Sequence, residues 1–379
     1  MSGVAPAPWV SLLGADPLPW LSSSDEPAAR WVTLTHLADL PAAHPEVAAA
    51  HRAVLADVGT ADLVGRLGTW GDDTGASGHH SPGYRPNLLQ LLADLGVRAG
   101  DIPAVDAFVD ALLEHQDAAG RFEAFGKLRG RAEPAWTSLP CDSHLITEVL
   151  IRFGRADQPA VVRSVERIAA DLAHTAQGPG WLCLPERVTG FRGPGRRHDL
   201  CPMVTLEALR LFARLPPGCH PSGLRAAARS AVRAWRERAV ERPYLFGHGS
   251  RYKTVKWPTF WYGAFWALDT LGRFPELWKG ATAEPDDRQA LAEMLACLVA
   301  YNCDPSARVT PRSCYQGFEG FSFGQKKRPS PFATARLAAV VKRLDDLADD
   351  AARIDVPALG GGPGSHSRPV SPGRPGSEA

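Results

Sequence analysis

Residues 140–154 read PCDSHLITEVLIRFG, and residues 201–215 read CPMVTLEALRLFARL. Each stretch opens after a loop, carries a proline at or near its start, and continues with apolar residues on one helical face. In the second stretch Leu206, Leu209 and Ala213 have the spacing of three and four that is typical of an amphipathic helix. Proline is favoured in the first helical turn because its missing N–H would have no partner there. Each stretch therefore predicts a helix with one buried face.

The same pattern returns along most of the chain. Further helices of this first kind are predicted to begin near Pro27, Pro82, Pro258 and Pro331. A second helix is predicted after most of them, over 45–57, 103–116, 159–173, 221–239 and 287–301. A repeat of paired helices indicates supersecondary units that stack to bury one continuous core. The sequence thus predicts an all-α fold of about six helix pairs without a sustained strand.

Composition excludes several classes of protein. Of 379 residues 45% are hydrophobic and 22% charged, which is typical of a globular domain, and the net charge of +1 gives no electrostatic reason to expect a nucleic-acid partner. The sequence has no apolar run of ~18 residues that would span a membrane, and its N-terminus lacks the pattern of a signal peptide. Seven cysteines at irregular spacing favour reduced thiols. We therefore expect a cytoplasmic protein.

The uninterrupted repeat predicts a single domain over residues 17–350. We expect residues 1–16 to be a flexible N-terminus, and residues 351–379 to be a disordered tail, because the chain from about Gly360 is rich in Gly, Pro and Ser. The sequence leaves the oligomeric state and the need for a partner subunit open.

Five segments carry a resemblance to a known family: PLPWL at 17–21, the helix that begins at Cys141, GPGWLC at 178–183, DLCPMVTLEAL at 199–209 and KWPTFWYGAFWALDTL at 256–271. With them the chain resembles the prenyltransferase and squalene–terpene cyclase repeat superfamily, and in particular its bacterial prenyltransferase/squalene oxidase repeat proteins. The resemblance implies an α/α toroid (barrel) with inner and outer rings of helices. It also implies that the first helix of each pair lies in the inner ring and begins at the mouth of a cavity.

Ionisable residues at these predicted helix starts are candidates for acid–base chemistry. They are Asp142 and His144 at the start of one inner helix, and His198 and Asp199 before the next. A carboxyl or imidazole group in an apolar pocket can have its pKa tuned for proton transfer. The Asp-x-Asp-Asp motif of the class II terpene cyclases is absent, since pairs such as Asp72–Asp73 lack the leading Asp-x.

Aromatic and basic residues at the same end are candidates for substrate binding. The candidates are Tyr84, Arg85, Trp136, Trp181, Lys256, Trp257, Phe260, Trp261 and Tyr262. Aromatic faces can surround an apolar chain and stabilise a cation, while Arg and Lys near helix N-termini suit a diphosphate or a carboxylate. The alternative is that these aromatic residues are the large side chains that a ring of packed helices needs inside.

Cys141, Cys183 and Cys201 lie at or between consecutive helix starts and are candidate ligands for zinc, which binds thiolate and imidazole groups. Two alternatives are open: they are small buried side chains at helix contacts, or one of them is a catalytic thiol. Zinc is therefore a possible cofactor.

Three functions follow. The first is a terpene cyclase- or prenyltransferase-like enzyme that binds an apolar isoprenoid or polyene and cyclises or isomerises it with acid–base and aromatic assistance. The second is a non-catalytic toroid that binds a ligand or peptide. The third is zinc-dependent thiol or alkyl transfer at the cysteines.

Overall fold

The structure is a computed structural model, and it describes residues 6–72, 78–79, 81–128, 131–193, 197–240 and 249–359. Its α-helices, in chain order, are α1 (Pro8–Leu13), α2 (Leu18–Ser22), α3 (Pro27–Val32), α4 (Pro45–Leu55), α5 (Val58–Gly65), α6 (Arg85–Leu95), α7 (Pro103–Leu112), α8 (Pro140–Arg152), α9 (Pro159–Ala170), α10 (Pro202–Phe212), α11 (Leu224–Arg236), α12 (Gly249–Lys253), α13 (Ala264–Leu271), α14 (Pro285–Asn302), α15 (Pro331–Arg343) and α16 (Ala348–Ala352). A π-helical turn, Thr33–Leu37, continues α3.

Six of these helices form a closed ring. Helix α3 packs against α6, α6 against α8, α8 against α10, α10 against α13, α13 against α15, and α15 against α3 again. Each of the six carries one of the predicted first helices. A second layer surrounds them, with α4 packed on α3, α7 and α9 on α8, α11 on α10, and α14 on α13. The prediction of an all-α toroid with inner and outer rings is therefore confirmed.

The inner helices run parallel to one another, because residues late in neighbouring helices pair across the ring: Asp94 with Arg152, Glu148 with Arg214, and Asp269 with Arg343. At one end the carboxylate of Glu26, just before α3, accepts a hydrogen bond from the backbone N–H of Phe332 in the first turn of α15 (3.2 Å). At the other end Lys342 of α15 donates to the backbone oxygen of Leu37 (2.9 Å). Their positive dipole ends therefore gather at one face of the toroid, and their negative ends at the opposite face.

Buried ion pairs tie the inner helices together towards the negative face. Asp94 of α6 accepts from Arg152 of α8 (2.7 Å) and from Arg336 of α15 (3.0 Å). Two further carboxylates belong to this network, Glu148 of α8 beside Arg210 and Arg214, and Asp269 of α13 beside Arg273 and Arg343. The network fixes the relative positions of five of the six inner helices.

Short strands connect the helices at the positive face. They form three two-stranded sheets: β1 (Ala124–Gly126) with β2 (Ala135–Thr137), β3 (Ala173–Thr175) with β4 (Gly178–Gly180), both antiparallel, and β5 (Lys256–Trp257) with β6 (Ser313–Cys314), which is parallel. Strand β5 is why α13 begins at Ala264 and not near Pro258 as predicted. The backbone of Gly263 is still extended, so most of the aromatic segment KWPTFWYG precedes the helix. Helix α6 likewise begins three residues later than predicted.

Both ends of the described chain differ from the expected flexible termini. In α1, Trp9 and Leu13 are buried, and the backbone N–H of Trp9 donates to the carboxylate of Asp345 (2.6 Å). Within the segment predicted as a flexible N-terminus, residues 8–13 therefore form a helix whose apolar side chains lie in the core. At the other end, a 3₁₀ turn over Pro357–Leu359 is the last element described. Residues 360–379 of the predicted tail lie outside the described residues. None of the helices described is long and apolar enough to cross a membrane.

Candidate functional site

The starts of α6, α8 and α10 come together at the positive face and enclose a set of polar residues. Asp142 lies in the first turn of α8 and is 3% exposed. Its Oδ1 accepts a hydrogen bond from the backbone N–H of His79 (3.0 Å) and lies 3.4 Å from His79 Nδ1. Asn87 of α6 donates to the backbone oxygens of His79 (2.7 Å) and Ser81 (2.9 Å), which holds this loop against α8. Of the predicted acid–base residues, Asp142 is therefore inside the enclosed site.

Four residues, Tyr84, Cys141, Asp142 and Glu207, form what we call the acid cluster. All four are buried, and each of the other three senses the charge of Asp142. Burial, followed by the neighbouring Asp142 carboxylate, raises the pKa of the Tyr84 hydroxyl and of the Cys141 thiol well above their usual ranges. Both groups therefore keep their protons at neutral pH.

Glu207 is the member of this cluster that the sequence reasoning missed. It lies in the second turn of α10, is 3% exposed, and neither of its carboxylate oxygens has a hydrogen-bond partner among the residues described. Burial raises its pKa well above 4.5, the charge of Asp142 adds to the rise, and Arg210 opposes it. Glu207 is therefore an uncharged carboxylic acid at neutral pH, which is the condition for a proton donor. A signal was present, because this glutamate interrupts the otherwise apolar run VTLEAL.

The two cysteines nearest to this cluster act on each other's pKa. The backbone N–H of Gly193 donates a hydrogen bond to the sulfur of Cys183 (3.2 Å). The Cys201 side chain, as the largest cause, and this N–H lower the pKa of Cys183 to about 6 against the opposing effect of burial. The pKa of Cys201 is raised well above its usual range by the Cys183 side chain and by burial.

A metal site can be assembled from other residues than the three predicted cysteines. His79, Cys141 and Asp142 each offer a ligand atom, and these atoms all lie within 4.8 Å of one another. Imidazole nitrogen, thiolate and carboxylate are ligands that zinc accepts. In the part of the chain that the structure describes, no group of this kind joins Cys141 to Cys183 and Cys201. The Cys141–Cys183–Cys201 site stays a prediction without support from this geometry.

The remaining predicted acid–base residues lie outside the enclosed site or have a structural contact. The His144 ring lies 3.2 Å from the backbone oxygen of Val204, which links α8 to α10, and burial lowers its pKa to about 4. His144 is thus a neutral side chain between two helices. His198 is exposed and Asp199 half-buried in the loop before α10. His80 and Asp73, neighbours of His79 and Asp72, lie outside the described residues.

The predicted basic residues are held by local contacts. The Arg85 guanidinium donates to the backbone oxygens of Leu67 and of Asp72 (3.3 Å). Lys256 is exposed, and its ammonium group lies 3.6 Å from the centre of the Tyr315 ring. Both cations are therefore held by contacts with nearby residues, and neither lies in the acid cluster.

The predicted aromatic residues lie in several different surroundings. Trp261 is half-buried and stacks on the His79 ring (5.4 Å between centroids, 7° between planes), which lies beside Asp142. Tyr262 lies next to Trp261 (5.3 Å between centroids). Trp136 stacks on His115 (3.5 Å) above the β1–β2 hairpin. Trp181 is buried and donates from its indole nitrogen to Ile168 (2.7 Å), which is a packing role.

Trp257 and Phe260 lie deeper in the ring. With Gln90, Asp94, Phe332 and others they line a narrow void that has no room for a water molecule. This part of the interior is closed by side chains. A separate open groove of about 790 Å³ lies between the start of α3, helix α5 and the loop before α15, and its lining contains no member of the acid cluster.

No protein-family model matches the chain, and no curated protein matches it. Among solved structures, it is similar to a variant of the type II terpene cyclase MstE from Scytonema in complex with geranylgeranyl dihydroxybenzoate, at 16% sequence identity and a TM-score of 0.40, over 90% of this chain and 96% of that one. At that TM-score the similarity carries no argument about function. The toroid is established by the helix contacts of this chain itself.

Proposed function

We propose that this protein is an enzyme that protonates an apolar isoprenoid or other polyene and guides its cyclisation or isomerisation, with Glu207 as the proton donor. The observation that carries the proposal is a buried, uncharged carboxylic acid without a hydrogen-bond partner among the described residues, placed where three inner helices begin. A satisfied structural glutamate would have a partner, as Glu148 has in Arg210 and Arg214.

The chemistry follows from the low polarity of the site. Proton transfer from Glu207 to a carbon–carbon double bond leaves a carboxylate and a carbocation next to each other. Burial disfavours an isolated carboxylate, which keeps the proton in place before substrate binds. The same burial strengthens the attraction between the carboxylate and a cation formed beside it. The ring faces of Trp261 and Tyr262 can stabilise the cation as it moves along the chain, and Asp142 with His79 supplies a base for its final deprotonation.

The proposal is tested by proton incorporation. The purified protein is incubated in D₂O with a panel of unlabelled linear polyprenols, polyprenyl diphosphates and squalene, and products are analysed for deuterium by mass spectrometry. We expect cyclised or isomerised product that carries one deuterium from solvent, and we expect Glu207→Gln to abolish it. Glu166→Gln, an exposed glutamate on the outer helix α9, is the matched control and should retain full turnover. Deuterium incorporation that persists in Glu207→Gln would exclude Glu207 as the donor.

A second candidate is zinc-dependent thiol or alkyl transfer, and the convergence of His79, Cys141 and Asp142 favours it. A zinc ion held by these residues would activate a bound thiol as a nucleophile. Elemental analysis of the purified protein decides between the two functions. About one zinc per chain, lost in both His79→Ala and Cys141→Ser, supports metal chemistry.

The third candidate is the ligand-binding scaffold, which the closed void beside Trp257 and Phe260 favours. Metal-free protein that gives no deuterated product, yet co-purifies with an apolar ligand, supports this candidate.

A further inference from the structure

Three arginines lie at the ends of neighbouring inner helices, and the proposed proton transfer uses none of them. Arg214 lies two residues after the end of α10, and Arg273 lies two residues after the end of α13. Arg343 is the last residue of α15. We call these three residues the arginine cluster. Because α10 packs on α13 and α13 on α15, the cluster lies at the negative face, at the opposite end of the ring from the acid cluster.

Direct contacts hold Arg273 and Arg343 side by side. The carboxylate of Asp269 accepts from Arg343 (2.8 Å) and from Arg273 (3.4 Å) through the same oxygen, Oδ1. A Cβ at Gly272 would lie 3.4 Å from Cδ of Arg343, so the stem of this arginine runs along the end of α13. The two guanidinium groups therefore share one counter-charge.

Arg214 is held on the α10 side of the same contact. Its Nε donates to Oε1 of Glu148 (2.6 Å), and Nε of Arg210 lies 3.3 Å from that oxygen. The Arg210 guanidinium lies over the Trp266 ring of α13 (5.3 Å to the centroid), so the arginines of α10 reach towards α13. Burial, with the charges of neighbouring arginines and against that of Glu148, lowers the pKa of Arg214 to about 9. Arg214 is therefore still a cation at neutral pH.

The arginine cluster has unused hydrogen-bond donors that reach the molecular surface. Arg214 donates through Nε alone, and both its Nη groups have no partner among the residues described. Arg343 donates through Nη1, which leaves its Nε and Nη2 without a partner there. None of these atoms is fully buried, and the side chains of Arg214, Arg273 and Arg343 are 21%, 27% and 28% exposed. A ligand can therefore contact these N–H groups from outside the ring.

The cluster also belongs to a network with more positive than negative charge. Six arginines of the inner helices pair with only three carboxylates, Asp94, Glu148 and Asp269, among the residues described. The partial negative charge of the helix ends offsets part of this excess. Arg273 and Arg343 indeed donate to the backbone oxygen of Asp269 (3.1 Å each), whereas Arg214 donates to no backbone oxygen. The helix ends thus account for only part of the arginine content.

We propose that the arginine cluster binds the phosphate group of a phosphorylated ligand at the negative face of the toroid. The N–H pairs of a guanidinium group match the spacing of two phosphate oxygens. A phosphate monoester brings about 1.5 to 2 negative charges at pH 7, compared with one for a carboxylate, so it compensates more of the excess. A phosphate in this position would link the ends of α10, α13 and α15. The site does not rest on the proposed proton transfer, because it lies at the other end of the ring.

The test is a calorimetric titration of the full chain with inorganic phosphate, in a phosphate-free buffer at constant ionic strength. We expect saturable binding of about one phosphate per chain and a higher melting temperature in its presence. Arg214→Gln and Arg343→Gln should each weaken binding by about tenfold or more, the effect of losing a charge-assisted hydrogen bond. Glu148 keeps Arg210 in the first variant, so no carboxylate is left unpaired. Asp269 likewise keeps Arg273 in the second.

Arg167→Gln is the matched control. Arg167 also shares a carboxylate, that of Asp171, with a second arginine, Arg121, but it lies on the outer helix α9. Phosphate binding should be unchanged in this variant. Circular dichroism of all three variants separates loss of the site from loss of the fold.

Vesicles distinguish the two sources of such a phosphate. Flotation of the protein with phosphatidylcholine vesicles that contain phosphatidic acid, lost in Arg214→Gln, assigns the site to a lipid headgroup. Binding of inorganic phosphate without flotation assigns it to a free phosphorylated molecule. The proposal is overturned if the wild-type chain shows neither saturable phosphate binding nor flotation. It is also overturned if folded Arg214→Gln and Arg343→Gln bind phosphate and vesicles as the wild type does, or if Arg167→Gln weakens binding equally.

Discussion

The change in unfolding free energy caused by Glu207→Gln should be more favourable at pH 7 than at pH 5. Glu207 is 3% exposed, and its pKa is raised well above 4.5 by burial and by Asp142. A group with a raised folded pKa contributes its stability below the unfolded pKa and loses it as the pH rises. Above the unfolded pKa the unfolded glutamate is ionised, whereas the folded one keeps its proton until the pH reaches its raised pKa. In that window the free energy of unfolding falls with rising pH by up to about 1.4 kcal/mol per pH unit.

Glutamine has no proton to lose, so the variant escapes this loss. Any unfavourable effect of burying the amide is the same at both pH values. The change in relative stability with pH thus isolates the titration of Glu207. The assay is guanidinium unfolding of wild type and variant at pH 5 and pH 7, read by tryptophan fluorescence. We expect the difference in unfolding free energy between variant and wild type to rise from the lower to the higher pH, by up to about 2.7 kcal/mol.

Glu148→Gln is the matched control. Glu148 is as deeply buried, yet its pKa is lowered, because Arg210 and Arg214 outweigh the effect of burial. Its stabilising contribution is present above pH 4.5 and is lost only as the pH falls through its folded pKa. The control should therefore be destabilised at pH 7 by about 3 kcal/mol, since two arginines lose their counter-charge. A Glu207→Gln difference that does not change with pH would refute the reasoning that Glu207 is buried and uncharged.

Two further contrasts test the packing of the fold by chemical unfolding. Asp94→Asn should lose about 3 kcal/mol at pH 7, because Asp94 is a buried carboxylate between Arg152 and Arg336, whereas Asp62→Asn at an exposed pair should lose less than about 1 kcal/mol; equal losses would contradict a buried network. Gly324→Ala should prevent native packing, since its Cβ would lie 1.7 Å from the Phe318 oxygen, while Gly65→Ala in α5 meets nothing within 4 Å and should be neutral or stabilising by about 0.5 kcal/mol. Thermal denaturation that ranks these two glycine variants the other way would contradict the loop placement.

The sequence predicts the toroid because inner helices carry a start signal, such as a proline in the first turn, in their own local sequence. Pro27, Pro140 and Pro331 begin helices where the pattern predicts them. The prediction was least accurate at Pro258, because strand pairing with Ser313–Cys314 is a contact between distant residues that no local pattern contains. The same is true of α1, whose Trp9 is buried only through its contact with the far end of the chain.

The sequence predicts which helix starts carry the candidate residues, but not where their side chains point. Asp142 and Trp261 lie where the helix starts meet, as the resemblance implied, yet His144 was interpreted as an acid and serves as a helix contact. A side chain at a helix start can turn towards the mouth or towards the neighbouring helix, and spacing alone does not distinguish the two. Glu207 was missed for a related reason. Glu207 and Arg210 are both buried charged residues one turn apart on the same helix. Arg210 has a carboxylate partner and Glu207 has no partner among the residues described, and this difference appears only in the three-dimensional structure.

The charge arrangement of the ring explains why Glu207 is left without a partner. The ion-pair network holds six arginines (Arg152, Arg210, Arg214, Arg273, Arg336 and Arg343) and three carboxylates (Asp94, Glu148 and Asp269). It therefore has an excess of three positive charges. Six parallel helix C-termini add partial negative charge at that end, which offsets part of the excess. Arg210 has Glu148 as its ion-pair partner and makes no hydrogen bond to Glu207, one turn closer to the mouth, among the residues described. Its positive charge opposes the rise in the pKa of Glu207, but burial and the charge of Asp142 outweigh it, so the carboxyl group favours its protonated form.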